Sequence, residues 1–130
     1  MAILERTIRN QNFDALLHRL EQEIVSGSWS ANLEASSDFR EGSARCSVRV
    51  FERYSMMGGN RLSLTLTLFQ NSDSPLRLSA ITAGGSQAVF FKVNTLGEEA
   101  FLEEVKQVLD DIASEQDHKR KELSYVPCQR

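Results

Sequence analysis

An α+β fold is what this sequence predicts: an antiparallel meander of five or six strands with two helices on one face. Three observations carry that expectation. Two segments, one towards each end of the chain, repeat apolar residues at helical spacing. Between them apolar and polar residues alternate with a period of two. The turns joining the alternating segments are short, which suits antiparallel neighbours and not the long crossovers of a parallel sheet.

Ile3–Ile8 reads as a short first strand. Phe13, Leu16, Leu17, Leu20 and Ile24 then form one apolar stripe, predicting a helix over Asn12–Ser26. Asn12 is placed to cap it, Asp14 suits its first turn, and Gly27 is placed to end it in the left-handed conformation. Trp29, Ala31, Leu33 and Ala35 next alternate with polar residues, and Asp38–Gly42 looks like a turn. Ala44, Cys46, Val48 and Val50 supply the apolar parity of the following strand, with Arg45, Ser47, Arg49 and Phe51 on the other face. Leu62, Leu64, Leu66 and Leu68 mark the clearest half-buried strand. Beyond the Asn71–Pro75 turn, Leu76–Ala83 and Gln87–Val93 read as two more strands. Thr95 and Glu98 have capping-box spacing, and Phe101, Val105, Val108, Leu109 and Ile112 form the stripe of a final helix, Leu96–Ser114.

The chain has 130 residues, the size of one domain, read as 1–114 plus a charged flexible tail over 115–130. Hydrophobic residues at 41% and charged residues at 25% fit a globular chain and argue against disorder. No apolar run reaches the roughly 20 residues of a bilayer span, and the first residues lack the basic-then-apolar pattern of a secretory signal. Cys46 and Cys128 are too few for a disulfide framework, which suits a reducing cytoplasm. A formal charge of −3 gives no general attraction to nucleic acid or membrane.

The order strand–helix–five strands–helix resembles the TATA-binding-protein-like and helix-grip folds, a likeness of topology without functional content. Two stretches resemble a known family as sequence. They are FERYSMMGGNRLSL, residues 51–64, and SAITAGGSQAVFFKVNT, residues 79–95, continuing through Gly97–Leu102. Both are similar to a family of small bacterial proteins catalogued only as a domain of unknown function, over about Glu5–Asp111. The resemblance implies a small bacterial cytoplasmic protein and no particular activity.

The meander brings two glycine-rich loops, Met56–Asn60 and Gly84–Ser86, to one edge of the sheet, together with Trp29 and Gly27. Their N–H groups could form an anion nest, but no phosphate-loop pattern accompanies them and plain hairpin turns are favoured. Glu52 shares parity with Cys46, Val48 and Val50 and is therefore expected to point inward at that edge. It could act as a ligand anchor or general base, or form a structural ion pair with Arg61. A small-molecule site, if there is one, gathers Trp29, Glu52, Tyr54, Asn60, Arg61, Thr82, Ser86 and Gln87, with Gly58, Gly59, Gly84 and Gly85 admitting close approach.

The opposite face is expected to carry Arg45, Arg49, Phe51, Arg53, Phe69, Arg77 and Ile81. Residues 43–93 hold six basic residues against Glu52 and Asp73, whereas residues 94–115 hold seven acidic ones against Lys106. Base stacking on Phe51 and Phe69 is one reading, but without a basic tail self-association ranks above nucleic-acid binding. His18 and His118 cannot build a metal cluster with two distant cysteines, and no G-x-S-x-G elbow occurs. No catalytic residue, metal or cofactor is assigned. The leading expectation is a non-enzymatic module that forms a homodimer through its sheet. The alternative is a small-molecule binder or hydrolase-like protein with a pocket between sheet and final helix.

Overall fold

The computed structural model describes residues 1–27, 30–54, 60–84 and 91–124. Strand β1 (Ala2–Ile8) leads into helix α1 (Phe13–Gly27), followed by β2 (Asn32–Glu41), β3 (Ala44–Tyr54), β4 (Arg61–Asn71), β5 (Leu76–Gly84) and helix α2 (Phe91–Ser124). The five strands form one antiparallel sheet in the order β1-β5-β4-β3-β2. The chain therefore crosses the whole sheet through α1 before the meander begins. Both helices pack on the same face.

One core forms between that face and the helices. Leu62, Leu64, Leu66 and Leu68 from β4 meet Leu76, Leu78 and Ala80 from β5. Phe13, Leu16, Leu17, Leu20 and Ile24 come down from α1, and Phe101, Val105, Val108, Leu109 and Ile112 from α2. Each fully buried leucine contributes about 2 kcal/mol by the area it removes from water. Asn12 caps α1 by accepting the Ala15 N–H at 2.9 Å. Gly27 is the last helical residue and its φ is not positive, so the expected left-handed stop is absent.

Four element boundaries differ from the expectation. Asp38–Glu41 is strand, and the hairpin turns instead at Gly42, whose φ of 59° suits glycine. Phe91–Val93 is helix rather than strand, and Gln87–Phe90 lies outside the described residues. Thr95–Glu98 thus falls inside α2 and is no capping box; Glu98 is instead buried and pairs with the Met1 amino group. At its other end α2 runs past Ser114 to Ser124. Glu115 takes a two-pronged bond from Arg19, at 2.7 and 2.8 Å, and Gln116 donates to the carbonyls of Arg9 and Asn10.

The largest correction concerns β3. Register pairs Arg53, Phe51, Arg49 and Ser47 with Leu62, Leu64, Leu66 and Leu68, which places the arginine parity towards the helices. Cys46, Val48, Val50 and Glu52 face the other way. Position in the sheet explains the inversion. α2 lies over β5 and β1 and α1 reaches from β4 to β2, so β3 runs beneath the acidic Asp14 and Glu21 of α1 and Glu104 of α2. Arginine suits that place, because its stem covers apolar surface while its head reaches a carboxylate.

Candidate functional site

The inner side of β3 is a rail of three arginines. Arg45 bonds Asp14 of α1 at 2.7 Å and lies 3.8 Å over the Phe13 ring. Arg49, buried, donates to Glu21 at 2.6 Å and sits 3.0 Å from Asp38. Arg53 donates to Glu104 of α2 at 2.6 Å and stacks 4.3 Å from the Phe101 centroid. The Arg45 guanidinium holds the Asp14 carboxyl below its usual range. Ser47, donating at 2.5 Å, and then Arg49 do the same for Asp38. Glu104 moves the other way: burial pushes its carboxyl up, and Arg53 only partly offsets that.

The strand ends gather as expected. Tyr54 is opposite Arg61, Leu62 opposite Gly84, and Ala2 opposite Thr82, so Glu52, Tyr54, Arg61, Thr82 and Gly84 share one end of the sheet with Asn60 just before β4. They do not share one face. Glu52, Tyr54 and Arg61 project from the outer face, where Arg61 contacts Glu52 at 2.5 Å, Glu34 at 3.5 Å and the Tyr54 ring at 5.5 Å. Thr82 is fully buried on the helix side and donates to the Ala2 carbonyl at 3.4 Å. Glu52 is therefore not the inward carboxylate of this edge. Trp29, Gly58, Gly59, Gly85, Ser86 and Gln87 lie outside the described residues.

Besides Glu98, which pairs with the Met1 amino group, the inward carboxylate here is Glu104, which the sequence reading missed. Its Oε2 is buried and has no hydrogen-bond partner among the described residues. The signal was available: Glu104 lies three residues after Phe101 and four before Val108, on the buried stripe of α2.

The outer face carries neither helix. Its cross-strand rows follow from the register. The lowest is Thr7–Arg77–Phe69–Cys46–Phe39, the next Glu5–Ser79–Thr67–Val48–Ser37, and the third Ile3–Ile81–Thr65–Val50–Ala35. Phe39 is 63% exposed, Ile3 58% and Phe69 40%. An open depression of about 280 Å³ lies at the β1–β5–β4 side of the two lower rows, lined by Glu5, Thr7, Thr67, Phe69, Arg77 and Ser79 among others. Of the residues expected on this face, Phe69, Arg77 and Ile81 are there, whereas Arg45, Arg49, Phe51 and Arg53 are not. Phe51 is fully buried, so the base-stacking reading loses its central aromatic and, with Arg45, Arg49 and Arg53 turned inward, three of its four arginines.

One sequence profile, described as a family of unknown function, matches residues 1–113. The chain belongs to DUF6054. No curated protein and no solved structure matches it. Among the described residues of this DUF6054 chain no helix is long and apolar enough to cross a membrane. Among its described residues no group of three or more His, Cys, Asp or Glu side chains could hold a metal ion.

Proposed function

We propose that this DUF6054 protein is a non-enzymatic interaction module of the bacterial cytoplasm that forms a homodimer through its outer sheet face. One observation carries the reading: β3 directs Cys46, Val48 and Val50 to a face that no described element covers, while its arginines go inward. Ile3, Phe39, Phe69 and Ile81 extend that apolar surface across the other strands. Apolar patches of this extent on a soluble chain mark association surfaces. Size agrees. Five strands spaced ~4.8 Å apart and ~30 Å long present roughly 700 Å², close to the ~800 Å² each partner buries in a standard interface.

Light scattering across a concentration series tests this. Wild-type protein should run as a dimer and Phe69→Arg as a folded monomer. A wild type that stays monomeric at every concentration overturns the reading.

A second reading, a small-molecule site between sheet and α2 at the end of the sheet that holds Tyr54 and Thr82, draws on the buried Glu104 Oε2 beside Arg53. Native mass spectrometry of freshly purified protein tests it. A retained ligand lost in Glu104→Gln supports it, and protein of bare sequence mass removes it.

A further inference from the structure

We infer that the two copies dock about a twofold axis running along β4, with Phe39 of each copy entering the Phe69–Arg77 depression of the other. This inference rests on the sheet-face dimer just described and specifies its geometry. A face-to-face pair related by a twofold must place that axis in the plane between the sheets. β4 is the middle strand, with β3 and β2 on one side and β5 and β1 on the other. An axis along β4 therefore lays β2 of one copy over β1 of its partner at the same height.

The rows then meet in register. In the lowest row Phe39 faces Thr7 of the other copy, Cys46 faces Arg77, and Phe69 faces its own counterpart. In the next, Glu5 faces Ser37, Ser79 faces Val48, and Thr67 meets itself. In the third, Ile3 faces Ala35 and Ile81 faces Val50. No charge meets a like charge in these rows, Phe69 meets Phe69, and the outer pairs of the third row are apolar on both sides.

Phe39 is the most exposed aromatic among the described residues, and the depression lies at the mirrored position, on the β1–β5–β4 side. Knob and hole thus exchange under this one operation. Inside, the ring can lie against the Arg77 guanidinium and the edge of Phe69. Packed sheets cross at about 30°, which displaces a residue two strands from the axis by about 5 Å along the strand. The depression spans two rows and accommodates that shift. An axis across the strands at mid-sheet height fits worse: it sets Phe39 against Asn32 and Cys46 against Glu52.

Cross-linking separates the possibilities. In a Cys46→Ser, Cys128→Ser background, Phe39→Cys is combined with Thr7→Cys and treated with a bismaleimide spanning roughly the 10 Å between packed sheets. Within one copy these positions are four strand spacings, ~19 Å, apart, so a link must join two copies. A covalent dimer in this variant, and little in Phe39→Cys with Asn32→Cys, is the expected result. Ile3→Cys with Ala35→Cys gives a second pair across the same axis that leaves Phe39 in place, should Phe39→Cys itself loosen the dimer. If wild type is a dimer that Phe69→Arg dissociates but neither pair links, the axis is wrong and the sheet-face dimer stands. If wild type is a monomer, both fall.

Discussion

Arg49 and Glu21 meet at 2.6 Å, Nε to Oε1, on the helix side of the sheet. Around this contact the polarity of β3 is reversed from what its composition suggests. Arg49 also reaches Asp38 at 3.0 Å and the Val48 carbonyl at 3.0 Å, so its guanidinium is a junction between α1, β2 and its own strand. Removing it strands a partly buried carboxylate and opens space beneath α1.

Arg49→Ala should therefore destabilise the fold by about 2–3 kcal/mol, less than for a fully buried pair because Asp38 is largely solvated. Val48→Ala, one residue away and facing outward, should cost under about 1 kcal/mol. Urea unfolding in the Phe69→Arg background, where the outer face is expected to be free, gives the comparison. A larger loss for Val48→Ala would mean that β3 faces the other way.

This inversion also shows where the sequence was and was not legible. β4 was read correctly because Leu62, Leu64, Leu66 and Leu68 lie under both helices, where alternation and burial agree. In β3 they disagree. Arg45, Arg49 and Arg53 are inward because Asp14, Glu21 and Glu104 await them, and those partners lie 28 or more residues away in sequence for every pair. A period-two pattern reports alternation, but not which face the helices cover. Glu52 was misplaced by the same step, since its direction was inferred from Val48 and Val50. The gathering of Tyr54, Arg61, Thr82 and Gly84 at one end was legible, because connectivity alone determines it. The early start of α2 was not: Phe90-Phe91-Lys92-Val93 is as compatible with strand as with helix over so short a run.

Gly84 should tolerate no side chain. Its φ is 120°, and a Cβ built there would lie 2.5 Å from the Arg61 carbonyl oxygen of the neighbouring strand. Backbone, unlike a flexible side-chain tip, cannot step aside cheaply. Gly84→Ala should lower stability by about 2–3 kcal/mol through strain and steric overlap. Thermal unfolding checks this, with Gly42→Ala as a comparison: Gly42 also has positive φ but open space at its Cβ, so its cost should be about 1 kcal/mol.

Glu52→Gln should be nearly silent in the monomer. The Glu52–Arg61 pair is at a solvent-facing corner, with the Arg61 side chain 56% exposed, and such pairs contribute about 0–1 kcal/mol. Unfolding midpoints in the Phe69→Arg background measure it. A loss above about 2 kcal/mol would show that the corner braces the sheet.

Two sets of carboxylates should give stability a pH dependence of opposite sign. Burial raises the Glu104 pKa in the folded chain, so the folded state binds that proton more readily than the unfolded one. Its contribution to stability is present at low pH and lost as pH rises through the folded value. Asp14 and Asp38 are lowered, by bonds from Arg45 and from Ser47 and Arg49 respectively. Their contribution is present above the ordinary aspartate range and lost as pH falls through the folded values. Urea midpoints from neutral pH down to pH ~3, for wild type, Glu104→Gln and Asp14→Asn, separate the two. Relative to Glu104→Gln, wild type should gain stability as pH falls towards the ordinary glutamate range. Relative to Asp14→Asn it should hold a constant advantage until the aspartate range is reached and then lose it. A wild-type–Glu104→Gln difference that stays flat with pH would mean that Glu104 is as well solvated in the folded chain as in the unfolded one.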